Sequence, residues 1–458
     1  MGSVPPAARP KGSSNTSQHA LVFVSLFLPF AYFNHNDGWN QRARLAELHS
    51  LVLHQSLNID RYQELTGDKA FINGHYYSEK APAIVLMALP AFALTVIGQT
   101  AVGVDPDSER GWRVSEWIAT AGSVGVVAAM GGVAFFALLK RQLNATAALI
   151  ATFGLFLGSL TFPYATSLFA HAGTIGLMSL ALWGVLETSS ARRDYFAGLC
   201  AGLAVASEYP AIISCATIGL YLAWRAPQRA LRFAVALLPA VVLILANNFL
   251  ISGSPLRVSY GSNPAFPAVT AAHLFGFGLP DGRVIGELLF GEYRGLFFWS
   301  PVLLMALPGL VVLTASDRPL AAMIVAGSSL TLLQVASFYS WYGGNAVGPR
   351  YLAPALPFFG LAAAFGIWRF PKTGALLALV SVLLMGMVAA IAIDPPQDLM
   401  TPFESFYLAR VIDDRFADSL GTLLGWSPLA SLFVPIATLV VASLWVIGRA
   451  RASAGDRG

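Results

Sequence analysis

Long apolar runs separated by short polar links set the pattern of this chain. Runs long enough, or nearly so, to cross a bilayer as helices fall at 19–34, 114–139, 145–161, 170–188, 194–208, 209–224, 232–252, 297–315, 319–339, 351–368, 373–393 and 428–448. A further apolar run, 82–103, carries Pro82 at its start and Pro90 inside it, which suits a helix that begins at an interface and bends. The pattern changes before it. From Gln41 on, apolar residues at 45, 48, 51, 52 and 53 predict an amphipathic helix lying along the membrane surface. Asp60–Pro82 is then the densest polar and aromatic stretch of the chain. Its turn pairs Gly67-Asp68 and Asn73-Gly74 predict a hairpin with Phe71-Ile72 on one arm and His75-Tyr76-Tyr77 on the other.

Composition turns this pattern into a class. Of 458 residues, 56% are hydrophobic and 11% charged, where a soluble domain carries about a quarter charged. The expected fold is an all-α polytopic membrane bundle of about 12–13 transmembrane helices with outer juxtamembrane helices. Residues 1–18 read as a disordered polar tail, 19–448 as one transmembrane domain and 449–458 as a second tail. The run at 19–34 lacks a small-residue cleavage pattern after it, so it reads as a first span and not a removed signal. Cys200 and Cys215 lie in apolar helical text and read as buried free thiols.

Charge adds a direction. The short links Lys140-Arg141, Arg192-Arg193, Arg225/Arg229/Arg232, Arg318, Arg369/Lys372 and Arg449/Arg451 are basic, as cytoplasmic loops are. All fall on one side if 82–103 does not cross; a crossing 82–103 with a later run wrongly divided is the alternative. With that parity, 15 of the 28 Lys and Arg but only 4 of the 24 Asp and Glu lie inside. Both termini are then cytoplasmic, and the long loops 35–113, 253–296, 340–350 and 394–427 lie outside, where function is expected. The basic balance thus records orientation and does not call for nucleic acid. No matching broken helices mark an inverted repeat, and no phosphate-binding Gly-rich loop is present.

Chemistry concentrates in those loops. Lys80 stands at a predicted helix start at headgroup level, where free backbone N–H groups and an ammonium suit a lipid phosphate; the plain alternative is a lysine that anchors the helix. Arg350, just outside another helix start, suits a phosphate or an ion pair with Glu79 or Glu292. Arg294, between Tyr293 and Gly295, allows the same two readings. Asp37 sits where the first span emerges, Glu208 precedes a Pro at a helix turn, and His171 opens a helix, a position that most often holds a core histidine. Asp413-Asp414 reads as a solvated pair. No Asp-x-Asp and no His/Cys/Asp cluster at ligand spacing points to a metal; Mg or Mn has no support in the sequence.

Gly74-His-Tyr-Tyr-Ser-Glu-Lys80-Ala-Pro82 resembles the Gly-x-x-Tyr-Phe-Glu-Lys-Pro-Pro stretch of the bacterial lipid A aminoarabinose transferases, polyprenyl-phosphate-sugar glycosyltransferases of the GT-C fold akin to protein O-mannosyltransferases. Arg42-Ala-Arg44-Leu-Ala-Glu47-Leu is similar to their Asp-Glu-x-Arg-Tyr-Ala-Glu helix. Weaker likenesses cover Thr161–Ser167 with His171, Glu208-Tyr209-Pro210, Gly253–Tyr260, Gly291–Phe297 and Trp341–Pro354. The resemblance implies a GT-C-like bundle in a cell inner membrane, a polyprenyl-phosphate-linked sugar as donor and a glycan, lipid or protein as acceptor. It implies a lysine on the donor phosphate, here Lys80; Arg294 and Arg350 are the further candidates this chain supplies for that phosphate. The family's catalytic Asp falls at Gln41, so Asp37, Asp60 and Asp68 are the local candidates for the base. His75, Tyr77, Glu79, Glu208 and Tyr351 are the candidate substrate contacts. In such a transfer, cations stabilise the charge gained by the leaving phosphate and a carboxylate takes the acceptor proton, with inversion. A transporter or flippase of a lipid-linked sugar, using the same basic seat without chemistry, is the competing class, and an inactive lipid-binding scaffold is a third.

Overall fold

A computed structural model describes residues 13–187, 189–265 and 276–438, with 440, 441, 443, 444 and 448 beyond. The tail expected at 449–458, the first twelve residues and the middle of the loop 253–296 lie outside the described residues. Helix α1 (Ser13–Tyr32) already begins inside the segment expected as a polar tail.

The first half of the chain builds the frame. After α1, helix α2 (Trp39–His54) is followed by a 3-10 turn at Asp60–Leu65 and a hairpin of β1 (Lys69–Ile72) and β2 (His75–Ser78). The hairpin is the one the turn pairs predict. Lys69 faces Ser78 and Ile72 faces His75. Asn73 and Gly74 both take positive φ, 53° and 86°, the backbone that a two-residue connection between right-twisted strands requires. Its inner face, Ala70 and Ile72, is buried against Ile251, with Tyr77 packed alongside.

Helix α3 (Ala83–Ala101) starts directly after Pro82. It lies against α4 (Glu109–Thr120), which continues through a π-turn at Ala121–Gly125 into α5 (Val126–Leu139). The side chain of Gln99 donates to Gly111 O at 2.8 Å, and Ala91 packs at Gly122. The first turn of α3 meets Gly173 through Ile84. Although 19 residues long and apolar enough to cross a bilayer, α3 therefore runs beside the first half of the long helix and does not reach the end that holds Lys140.

The remaining helices are α6 (Ala145–Phe156), α7 (Thr161–Ala165), α8 (Ala170–Leu186), α9 (Ala191–Ser207), α10 (Ile212–Arg225), α11 (Pro227–Val235) and α12 (Leu238–Ser252). They are followed by α13 (Gly282–Phe290), α14 (Leu296–Trp299), α15 (Ala306–Ser316), α16 (Arg318–Ala336), α17 (Leu356–Arg369), α18 (Pro371–Ile391) and α19 (Ala409–Ile412). Two short helices, α20 (Leu420–Leu423) and α21 (Pro428–Ser431), follow, and the chain is helical again over 433–438. Among the described residues, six helices are long and apolar enough to cross a membrane, and four apolar helices are shorter. Several expected spans are thus interrupted. The run 145–161 breaks at Leu157–Leu160, and 297–315 is divided by the 3-10 turn Pro301–Met305. Close packing relies on small residues: Gly131 lies on Gly176 between α5 and α8, and Gly309 and Gly366 bring α15 against α17.

The bundle has two distinct ends. At one, Arg229 Nε meets Asp194 at 2.8 Å with Arg232 at 3.4 Å, Arg141 meets Glu187 at 3.1 Å, and Lys140 reaches Gln18. These contacts tie helix ends together. The other end holds α2, the hairpin and the starts of α3, α8 and α17. The chemistry gathers there.

Candidate active site

Helix α2 is the unexpected element. The periodicity predicts a surface helix, but Gln41, Ala43–Ser50 among them Arg44, Glu47 and His49, are buried. Its near-neutral composition hides this, because the charges are matched by the segments folded over it. The helical repeat places Arg44 and Glu47 on one flank and Arg42 and His49 on the other.

On the first flank, the Gly67-Asp68 turn and β2 deliver a cluster. Trp39 O accepts from Thr66 Oγ1 at 2.7 Å, and Thr66 Oγ1 accepts from Asp68 N at 3.0 Å. Any Cβ at Gly67 would strike the Trp39 ring, so glycine is what allows this turn to sit on α2. Lys80 Nζ then lies 2.7 Å from Asp68 Oδ2 and 2.8 Å from Glu79 Oε1. The lysine and aspartate side chains are 14% and 16% exposed, and that of Glu79 only 2%. Asn263 donates to the other Glu79 oxygen at 2.7 Å and to Gly67 O at 3.2 Å, clamping the turn. Burial pulls the Lys80 ammonium down, but Asp68 and Glu79 outweigh it and hold it above the ordinary lysine value.

Arg44 and Glu47 complete this flank. Arg44 donates to Asn40, keeps a buried Nε without a partner, and feels the charges of Asp68, Glu47, Glu208 and Arg350. Burial lowers its guanidinium to about 10. Burial raises the Glu47 carboxyl to about 7 against the Ser78 hydrogen bond and Arg44, and its Oε2 has no partner. Arg350 lies over the rings of Phe169 and Tyr351 at 5.1 and 5.2 Å, with a buried, unpartnered Nε. It makes no salt bridge to Glu79 or Glu292, so the ion-pair alternative is not what the structure holds. Tyr351 also meets His171 edge-on at 6.2 Å, and His171 Nδ1 lies 3.0 Å from Glu208.

Lys80, Glu79, Asp68, Arg350, Tyr351 and Glu208 are therefore gathered at one end of the bundle. The other sequence candidates are placed differently. Asp60 accepts from Tyr76 N and pairs with His75 Nδ1, both at 2.6 Å, as an exposed clasp on the hairpin. Tyr77 packs the hairpin against Ile251. Asp37 is 92% exposed and paired with Arg42 at 2.7 Å, on the other flank of α2. That flank borders a cavity of about 580 Å³ lined by Asn34, Asp37, Arg42, Trp112 and Glu116 among others. It is separate from the Lys80 cluster, which has the stronger chemistry. Arg294 departs most from expectation. It is fully buried, and it donates to Tyr342 O at 2.6 Å, Gly344 O at 2.9 Å and Tyr293 O at 3.0 Å. Three of its five N–H donors bracket the Trp341–Asn345 turn, so the side chain serves that turn in this structure.

Sequence reasoning passed over Arg44, Glu47 and Asn263 as site residues. The signal for the first two was their three-residue spacing on one helical flank; for Asn263 there was none. Among the described residues, no group of three His, Cys, Asp or Glu is arranged to hold a metal ion.

Among solved structures, the chain superposes on ArnT from Cupriavidus metallidurans in the apo state and on the same protein bound to undecaprenyl phosphate. In each case the TM-score is 0.50 and the identity 16%, over 95% of this chain and 74% of that one. The chain has the ArnT fold. The GT-C architecture expected from the Lys80 motif is thus present, although no family model and no curated protein matches the sequence. The ArnT likeness extends over nearly the whole chain, so the buried cluster belongs to that fold and not to an added domain.

Proposed function

We propose that the chain is an integral-membrane glycosyltransferase that moves a sugar from a polyprenyl phosphate to an acceptor. The carrying observation is the buried cation group. Lys80 is braced by Asp68 and Glu79, and Arg44 and Arg350 each hold an unpartnered N–H in the same neighbourhood. Buried guanidinium and ammonium groups favour a polyanion, and one of the matched structures carries undecaprenyl phosphate. The cations hold the phosphate of the donor and stabilise the charge it gains as the anomeric C–O bond breaks. Asp68 and Glu79 set the position of the ammonium. The reaction inverts the anomeric centre by direct displacement. Orientation follows the basic links: termini in the cytoplasm, site end on the outer side of an inner membrane.

Binding of undecaprenyl phosphate to the purified protein tests the reading, followed by transfer in proteoliposomes from undecaprenyl-phosphate-linked sugars. Lys80→Ala is expected to abolish both. Full activity of that variant removes the phosphate role. A cysteine placed at Arg141 that an impermeant reagent labels in intact cells removes the orientation.

A further inference from the structure

With glutamine at position 41, the chain lacks a carboxylate where its likeness to the transferases would put the base. Each local aspartate is committed elsewhere: Asp37 to Arg42 in the open, Asp60 to the hairpin clasp, Asp68 to Lys80. Two further acids of the cluster are bound as well, Glu79 by Lys80 and Asn263, and Glu47 by Ser78. Glu208 differs. It ends α9 and opens the 3-10 turn Tyr209–Ala211, with Glu208 N donating to Ala204 O at 3.0 Å and Ala211 N to Glu208 O at 2.9 Å. The main chain is therefore fixed, while both carboxylate oxygens are buried without a hydrogen bond. Their one close neighbour is His171 Nδ1 at 3.0 Å.

His171 is held by shape. Phe169 stacks on it at 5.1 Å and 20°, Tyr164 meets it at 5.1 Å and 71°, and Tyr351 closes the third side. Neither ring nitrogen has a hydrogen-bond partner in good geometry. Apart from their mutual 3.0 Å contact, the carboxylate and the ring have no polar partner among the described residues, and they lie beside Arg44 from α2 and Arg350 from the turn before α17, the charges that face the pair. Native proteins seldom leave such atoms without an ordered water, a ligand or a reaction to use them, and here they face the cations of the cluster.

Resting on the transferase reading, we infer that Glu208 is the base that receives the acceptor proton and that His171 positions its carboxylate. The acceptor O–H or N–H gives its proton to Glu208 as its lone pair forms the bond to the anomeric carbon. The bond from that carbon to the phosphate oxygen breaks, and its electron pair leaves with the polyprenyl phosphate held by Lys80.

The test uses the full chain in proteoliposomes, with undecaprenyl phosphate as the binding probe and undecaprenyl-phosphate-linked glucose, mannose and aminoarabinose as donors. Glu208→Gln is expected to bind undecaprenyl phosphate within about twofold of wild type while turnover falls by about 100-fold or more. Glu208→Asp recovers part of the loss. His171→Gln lowers turnover less and displaces the acidic limb of the pH–rate profile, which a purely structural histidine would leave in place. Wild-type turnover in Glu208→Gln, or a turnover loss explained wholly by lost lipid binding, overturns the assignment. An Asp68→Asn variant with intact lipid binding and a loss as deep as that of Glu208→Gln, against an active Glu208→Gln, moves the base to Asp68. A wild-type protein that binds no undecaprenyl phosphate, or that binds it and cleaves none of the donors, overturns instead the transferase reading beneath.

Discussion

The two flanks of α2 are built from the same residue types and do opposite things. On one, Arg44 and Glu47 are sealed under the hairpin, keep unpartnered atoms, and share their surroundings with Lys80, Asp68 and Glu208. On the other, Arg42 pairs with exposed Asp37 and with Glu116 at 3.3 Å, and His49 stacks on Trp112 at 3.6 Å and 11°. Burial lowers His49 to about 4, so it stays neutral through the physiological range. The second flank leaves buried atoms without a hydrogen bond too, both His49 ring nitrogens, Trp112 Nε1 and Glu116 Oε2 among them. What sets the first apart is its charge: the Arg44 guanidinium lies among Asp68, Glu47, Glu208 and Arg350, whereas the second gathers Arg42, Asp37, Glu116 and a neutral His49. The flanks separate by which charges each gathers, not by how many polar atoms each leaves unpaired.

The sharpest way to break this contrast is Lys80→Ala. It strips Asp68 and Glu79 of their buried cation, so both undecaprenyl phosphate binding and transfer should be lost. Stability should fall by about 3–5 kcal/mol, the usual cost of stranding buried charge, read by thermal unfolding in detergent. Intact unfolding behaviour would show the pair to be less buried than described. Next in size, Arg44→Ala should weaken undecaprenyl phosphate binding by about 10- to 100-fold through a lost charge-assisted contact, while Arg42→Ala leaves it unchanged. Equal losses from the two would erase the distinction between the flanks.

A third test uses pH. The Glu47 carboxyl binds its proton more tightly in the folded state, near 7 against an ordinary 4.5, so its contribution to stability is lost as pH rises from about 4.5 to 7 and is constant above. Glu47→Gln should flatten that slope in melting temperature measured across pH 4–8; an unchanged slope would assign it to another group. The smallest effect belongs to the exposed clasp. Asp60→Asn should cost under about 1 kcal/mol and leave transfer unaffected, because a partly solvated pair contributes little.

Much of this arrangement is legible in the chain. Asn73-Gly74 announces the hairpin because few residue pairs accept two positive φ values, and Ser-Glu-Lys-Ala-Pro places Lys80 just ahead of α3. The burial of α2 is not legible. A helix with Arg42, Arg44 and Glu47 reads as solvated by any local measure, and only the tertiary fold supplies Asp68, Ser78 and Glu116 as partners. The break at Leu157–Leu160 is equally hidden, since hydropathy averages through a turn that carries no charge run, whereas Glu208 ahead of Pro210 marks the one between 194–208 and 209–224. Arg294 shows the limit most clearly: its residue type fits a phosphate, and nothing in the neighbouring letters says that three carbonyls take three of its N–H donors.

That bracket has a consequence for how the protein tolerates change. A lysine at position 294 keeps the charge but has a single ammonium head, which does not span carbonyls on Tyr293, Tyr342 and Gly344. Exchange for lysine should therefore be nearly as harmful as removal. Natural selection would guard position 294 as strictly as position 80, and a survey of invariance across descendants would score the two alike. One would be kept for what it gives to a substrate, the other because the turn beside the substrate has no other floor to stand on.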